Sequence, residues 1–224
     1  GIPMNNEQQW QAANEARAAL YRWFADIFAR EFNKQNLAKL QRQYPALHQA
    51  FSELGLQEPS EQLQKALNNL KVIPEADRAL ELAADFAHMF LLSGHQSAPP
   101  YASYYLDADK MLYGKPAQQM SQFLAEHKLD LHPDFREPKD HLSIYLQVLS
   151  LWIQHGSKGE TEGKDSVNMA AEQSEFLQSA LLNWLPKFNE HCQSIQVKTQ
   201  VYPALTDLLL HFVAADQQAL VELD

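Results

Sequence analysis

Residues 137–153 decide the fold of this chain and read Glu-Pro-Lys-Asp-His-Leu-Ser-Ile-Tyr-Leu-Gln-Val-Leu-Ser-Leu-Trp-Ile. An α-helix that carries apolar residues at helical spacing must bury that face against other helices. The apolar residues with this spacing are Leu142, Tyr145, Leu146, Leu149, Trp152 and Ile153. We expect the helix to begin just before Leu142, with Pro138 at the first helical position and Glu137 and Asp140 at the positive end of its dipole.

The start of this helix has two interpretations. Proline and carboxylates are common where helices begin, so these residues can simply cap the helix. The second interpretation is a binding site. Adjacent helical residues point about 100° apart, so Asp140 and His141 cannot chelate one small ion as side chains four positions apart do. They can instead line a shallow surface that receives a cation.

Three segments resemble a known family. Glu137-Pro138-Lys139-Asp140-His141 is similar to the E-P-x-D-H motif of the TorD/DmsD family of cytoplasmic redox-enzyme maturation chaperones. Upstream, residues 99–106 (Pro-Pro-Tyr-Ala-Ser-Tyr-Tyr-Leu) and 112–114 (Leu-Tyr-Gly) resemble two further family segments in the expected order. The resemblance covers residues 80–152, and residues 80–86 look closest to the trimethylamine N-oxide reductase branch.

The resemblance implies a chaperone and not an enzyme, with no catalytic residue and no metal ligand. Its partner would be the precursor of a molybdenum-cofactor reductase, which the chaperone would bind through the twin-arginine signal peptide and the mature part. The chaperone would assist cofactor insertion and delay export until the enzyme is mature. No cofactor of the chaperone itself is expected, and only the resemblance allows for GTP.

The resemblance also implies the residues of the peptide site. Carboxylates suit arginine, which makes Glu137 and Asp140 the candidates for the paired arginines. The signal-peptide site as a whole would comprise Glu137, Pro138, Asp140, His141, Phe86, Met89, Phe90, Pro100, Tyr101 and Tyr105. Phe86 and Phe90 have core packing as the equal alternative. Asp85 would contact the mature enzyme, or would be a solvated charge on a helix edge.

Composition excludes several classes of protein. The 224 residues are 46% hydrophobic and 21% charged, which is typical of a globular chain. A formal charge of −10 and a pI near 5.3 argue against nucleic acid and favour a cationic partner. The single cysteine, Cys192, allows no internal disulfide and indicates a packing role in a reducing cytosol. The sequence has no apolar run long enough to predict membrane insertion, so we expect a cytoplasmic protein.

Nearly every segment has a helical period, so an all-α fold is predicted. Helices are expected at 7–32, at 33–44 and 46–54 with a break at Pro45, from Ser60, from Pro74 to about 92, at 116–127, at 170–185 with Pro186 as the stop, and from Pro203 onward. Gly55 is a natural helix stop. Residues 94–105 are expected to form an extended aromatic loop, because consecutive prolines disfavour helix. Residues 156–168 are predicted to be a surface loop, and Gly1-Ile2-Pro3 a cloning remnant.

The chain is predicted to form a helical bundle in two halves, residues 4–130 and 131–224. Residues 129–137 would be a hinge-like connector, since they contain a proline and show no periodicity. Such a connector would allow a helix-exchanged homodimer to form.

The alternative function is an α-helical hydrolase or metalloprotein that uses Asp140 and His141 chemically. A di-metal carboxylate bundle would need Glu-x-x-His pairs, and the nearest match is Asp85-Phe86-Ala87-His88. His88 is instead expected to be partly buried.

Overall fold

The structure is a computed structural model that describes residues 6–92, 96–106, 114–131, 135–157 and 166–223. These residues contain α-helices and no β-strand, which confirms the all-α prediction. The α-helices are α1 (Asn6–Ala29), α2 (Lys34–Glu53), α3 (Gln57–Asn68), α4 (Arg78–Phe86), α5 (Ala102–Leu106), α6 (Lys115–Glu126), α7 (Leu142–Ser157), α8 (Ser166–Phe176), α9 (Leu185–Ser194) and α10 (Val201–Val221). Short 3-10 segments at Asn69–Val72 and Glu75–Asp77 precede α4, and π-helical segments at Ala87–Leu91 and Leu177–Leu181 follow α4 and α8.

The predicted break at Pro45 is wrong, because α2 runs through it without interruption. Proline inside a helix removes one backbone hydrogen bond. The carbonyl that loses its partner belongs to Gln41, which is exposed, so solvent can replace the bond. Tyr44 and Phe51 of the same helix are buried, and their packing offsets the loss.

Both ends of α2 follow from the sequence. Asn33 caps the start, where its side chain accepts a hydrogen bond from the backbone N–H of Asn36 at 2.8 Å. Gly55 follows the last turn with a φ of +79°, as the predicted stop requires. The N–H of Gly55 bonds to the carbonyl of Ser52 at 3.0 Å, and the N–H of Leu56 bonds to that of Phe51 at 2.9 Å. This pair of bonds is a Schellman motif.

The contacts within the chain define two compact units, each assembled from separated stretches. The first comprises Gly1–Ala29, Tyr101–Leu181 and Gln217–Asp224, and the second comprises Arg30–Pro100 and Leu182–Asp216. These boundaries do not coincide with the expected halves 4–130 and 131–224. The division into those halves, the hinge and the helix-exchanged dimer stay predictions.

Helix α7 is the core of the first unit. We expected one buried face, but every residue from Leu142 to Ile153 is buried except Gln147 and Leu151, which are partly exposed. Helix α1 packs along α7. The buried hydroxyl of Ser150 donates to the carbonyl of Ala18 on α1 at 2.8 Å, so a polar group inside this contact is satisfied.

Several predicted boundaries need correction. Helix α3 begins at Gln57, before Ser60. In the described part of the aromatic loop, residues 98–100 have no regular secondary structure, whereas Ala102–Leu106 forms α5 and is therefore not extended. Pro186 lies in the first turn of α9, where its missing N–H would have no helical partner, and the segment with His191 and Cys192 is therefore helical.

Both ends of the predicted surface loop at 156–168 are helical. Gly156 belongs to α7, and residues from Ser166 belong to α8. The predictions for 1–3, Gly94, 112–113, 132–134 and 158–165 lie outside the described residues. Among the helices described, none is long and apolar enough to span a membrane.

Replacing Gly55 with alanine should lower the free energy of unfolding by about 1–2 kcal/mol, because an L-residue is strained at this φ. An added Cβ would meet nothing within 4 Å, so the loss would come from the backbone alone. Urea unfolding measures it. The matched control is Gly156→Ala in α7, where the Cβ would meet the flexible Met169 Sδ at 3.1 Å and the gain in helix propensity opposes the crowding. Equal losses in both variants would contradict the prediction.

Candidate functional site

The candidate site is the turn that leads into α7. The backbone N–H of His141 bonds to the carbonyl of Pro138 at 3.0 Å and closes a turn over 138–141. Pro138 therefore precedes α7, and the prediction that it occupies the first helical position is wrong. The carbonyl of His141 accepts bonds from Ile144 at 2.9 Å and Tyr145 at 3.4 Å. His141 is thus the N-cap residue of α7.

The His141 ring caps the helix with its own nitrogen. Its Nδ1 accepts a hydrogen bond from the backbone N–H of Ser143 at 3.0 Å, so the proton of the neutral ring is on Nε2. The ring packs edge-on against Tyr101 at 5.0 Å and Phe135 at 5.2 Å between centroids. Burial lowers the pKa of His141 to about 3. The imidazole is therefore a neutral structural acceptor at neutral pH.

Asp140 holds the segment that contains the predicted tyrosines. Its Oδ2 accepts hydrogen bonds from the backbone N–H of Ser103 at 2.7 Å and from the Ser103 hydroxyl at 2.5 Å. Its carbonyl accepts from the N–H of Ala102 at 3.0 Å, beside an antiparallel bridge between Tyr101 and His141. These bonds satisfy the first donors of α5 and fasten that helix to the start of α7.

The second oxygen of Asp140 is unusual. Asp140 is 0% exposed, and no described residue offers a hydrogen bond to its Oδ1. A buried carboxylate oxygen without a donor is costly, so this atom is a spare acceptor inside the site. The negative charge also acts on Tyr145. The pKa of Tyr145 is raised mainly by burial and to a smaller extent by the charge of Asp140.

Glu137 is the more accessible carboxylate of the motif. It is partly exposed, and its Oε2 accepts a hydrogen bond from the Tyr101 hydroxyl at 2.5 Å. Tyr101, Tyr104 and Tyr105 are also partly exposed, and the last two rings pack edge-on at 5.0 Å. The structure thus brings Tyr101, Glu137, Asp140 and His141 together, with Tyr105 on the attached helix.

The remaining predicted groove residues lie in the second unit. Phe86, Met89 and Phe90 are 6%, 0% and 3% exposed. The rings of Phe86 and Phe90 pack edge-on at 5.2 Å, and each also contacts Tyr202 at 5.6 Å. This burial favours the core alternative that the sequence left open. Pro100 is buried as well, and contact of these four residues with a peptide stays a prediction.

Asp85 is buried, so the alternative of a solvated charge on a helix edge is wrong. It is 4% exposed, and its two oxygens accept the backbone N–H groups of Lys198 and Thr199, both at 2.8 Å. The carboxylate therefore ties α4 to the segment that enters α10. Its predicted contact with a client enzyme stays a prediction. His88, expected to be partly buried, is exposed.

Sequence reasoning missed the roles of Ser103 and Phe135. Ser103 supplies both donors to the Asp140 carboxylate, and Phe135 covers one side of the His141 ring. A signal for Ser103 was available: it is a small hydroxyl residue three positions after two consecutive prolines, in the first turn of a helix, where backbone donors need acceptors. No periodicity marks Phe135.

Within the described part of the chain, no group of three or more His, Cys, Asp or Glu side chains is placed to hold a metal ion. Asp140 and His141 are engaged in the cap contacts described above. Cys192 is buried as predicted, and burial raises the pKa of its thiol.

Comparison with known proteins gives the family. A family model described as nitrate reductase delta subunit matches residues 52–190. The chain is 70% identical over 220 residues to a Chaperone protein TorD from Psychrobacter sp., with 98% of each chain covered. It is 37% identical over 221 residues to a Chaperone protein TorD from Vibrio cholerae, with 96% of this chain and 97% of that one covered.

The chain therefore belongs to the TorD family of chaperones. The family resemblance of residues 80–152 and the non-enzymatic class were predicted correctly. The hydrolase alternative based on Asp140 and His141 is wrong, since close relatives carry the name of a chaperone.

Stability should depend on pH through His141. Its pKa is about 3 when folded and about 6.5 when unfolded, so between these values the unfolded chain binds more protons. The contribution of His141 to the free energy of unfolding is complete above about pH 6.5. It decreases as the pH falls toward 3, by up to about 1.4 kcal/mol per pH unit. In His141→Asn, which keeps a capping acceptor but does not titrate, unfolding measured from pH 4 to 8 should show a shallower slope. An unchanged slope would contradict this assignment.

Asp85→Asn should lower the free energy of unfolding by about 1–3 kcal/mol, because the amide nitrogen would face a backbone N–H donor. Glu81→Gln is the matched control. Glu81 makes an exposed ion pair with Lys198 Nζ at 2.9 Å, so its loss should cost less than about 1 kcal/mol. Equal effects in chemical denaturation would refute an anchoring role for Asp85.

Proposed function

We propose that this protein is a cytoplasmic chaperone for the maturation of a molybdenum-cofactor reductase, with trimethylamine N-oxide reductase as the client. It binds the twin-arginine signal peptide and the mature part of the precursor, and it delays export until the cofactor has been inserted. The observation that carries the proposal is 70% identity over almost the whole chain to a protein named Chaperone protein TorD.

The geometry supports Glu137 as the direct contact for an arginine. Its carboxylate is partly exposed and accepts from the Tyr101 hydroxyl, which leaves further acceptor positions on its oxygens. Arginine presents several donors in one plane, so it can bind the carboxylate while its apolar stem lies against tyrosine. Tyr101, which bonds to this carboxylate, and Tyr104 and Tyr105 on α5 supply partly exposed aromatic area for the apolar part of the peptide.

Asp140 takes a different part in the proposal. Because it is fully buried and bonded to Ser103, it acts as a positioning residue that holds the tyrosine-bearing helix α5 beside α7. Its second oxygen has no donor among the described residues and is the acceptor that an inserted guanidinium would meet. Direct contact would require the site to open. His141 and Pro138 shape the same turn.

The charge of the chain supports a basic peptide as the ligand. A formal charge of −10 attracts cationic segments over a distance set by the salt concentration. Binding before export places the protein in the cytoplasm. The expectation of no cofactor, with GTP allowed by the resemblance alone, remains a prediction. The homodimer that the connector suggests also remains a prediction.

Titration with a synthetic signal peptide tests the proposal. A peptide with two consecutive arginines followed by an apolar stretch should bind, and the same peptide with both arginines changed to glutamine should bind at least about tenfold more weakly. Glu137→Gln should weaken binding of the arginine peptide by about two- to fivefold, as expected for a partly exposed ion pair. Isothermal titration calorimetry at low and physiological salt should show weaker binding at the higher salt.

Glu53→Gln is the control, because Glu53 is an exposed carboxylate at the end of α2 and should have no effect. Equal affinity for the arginine and glutamine peptides would overturn the proposed ligand. An effect of Glu53→Gln as large as that of Glu137→Gln would show that general charge, and not the site, governs binding.

A further inference from the structure

The first unit contains an aromatic cavity that the proposed function does not use. It has a volume of about 550 Å³ and lies where α6, α7 and α8 meet. Its lining includes Phe123, His127, Trp152 and Phe176, with Glu172 and Glu175 at its edge. None of these residues belongs to the turn at 137–141 or to α5.

The four rings form one cluster. Phe123 stacks on His127 at 3.9 Å, and it packs against Phe176 at 4.8 Å and edge-on against Trp152 at 5.3 Å. Trp152 and Phe176 are buried, at 9% and 8% exposure, whereas Phe123 and His127 are partly exposed. The two buried rings give the cavity an apolar floor, and the two exposed rings form its wall.

Negative charge lies at the opening. Glu172 and Glu175 are exposed, and they are three positions apart on α8, so they project from the same face of the helix. Among the described residues, those that line the cavity include no Lys or Arg. Aromatic faces attract cations through their quadrupole, and carboxylates beside them add Coulombic attraction in the same direction. Both features select for positive charge.

We propose that this cavity binds the arginine side chain of a partner polypeptide. Arginine fits better than lysine, because its planar guanidinium stacks on aromatic rings and still offers donors at its edge to carboxylates. An apolar side chain would gain the floor but nothing from the two carboxylates. The open shape suits a side chain that enters from an attached chain. This inference is independent of the proposed function, since neither Glu137 nor Asp140 lines the cavity.

The indole N–H signal of Trp152 in ¹H–¹⁵N spectra reports on the cavity, and Trp152→Phe assigns it. N-acetyl-arginine amide should shift this signal to saturation, with an affinity at least about threefold higher than that of the lysine amide. N-acetyl-norleucine amide should shift it little. Glu175→Gln should lower the affinity for N-acetyl-arginine amide by about two- to fivefold. Phe123→Leu should also lower this affinity, because an aliphatic group replaces a partly exposed aromatic ring.

Two control variants locate the effect. Glu190→Gln changes an exposed carboxylate on α9, and Glu137→Gln changes the proposed signal-peptide contact. Both should leave the arginine titration unchanged. An equal response to the norleucine and arginine amides, or no response to arginine, would overturn the inference. Loss of signal-peptide binding in Glu137→Gln with the arginine amide titration intact would separate the two proposals.

Discussion

The buried start of helix α7 is the constraint on which the first unit depends. A helix that begins inside a protein has backbone donors that water cannot reach, so side chains must satisfy them. His141 does so with a ring nitrogen, which requires the ring to stay neutral. Asp140 uses its carboxylate in the same place to fasten α5 through Ser103. The E-P-x-D-H segment is therefore a structural junction first, and any peptide that it binds meets a surface that this junction has shaped.

The two units use the same device for the same purpose. In the first, the Asp140 carboxylate accepts a backbone N–H and a hydroxyl from Ser103; in the second, the Asp85 carboxylate accepts the backbone N–H groups of Lys198 and Thr199. A charge in such a position is stabilised by hydrogen bonds to its ionised form. Replacing either residue would leave donors without partners, so loss of function in such variants does not by itself identify a contact with a client.

Much of the fold was readable from the sequence, because helical periodicity and Gly55 act locally. The path through Pro45 was not readable, since it depends on tertiary packing of the helix on either side of the proline. The family and the motif of the site were predicted from residue order. The burial of Asp140 and Asp85 was not, because their partners lie 37 and 113 or more positions away and no local pattern records such distances. Which of the predicted site residues face solvent was not readable either, because exposure depends on the same distant partners.

The discontinuous second unit has a consequence for biosynthesis. Its carboxylate anchor joins Asp85 to residues 113 and 114 positions further along the chain. A ribosome makes the chain from the N-terminus, so α4 emerges long before Lys198 and Thr199 exist. Until translation passes residue 199, the Asp85 carboxylate must remain hydrated and α4 must keep its apolar face without that support. Completion of this unit is therefore a late event, and a ribosome stalled before that point would display an unfinished core to the chaperones and proteases of the cell.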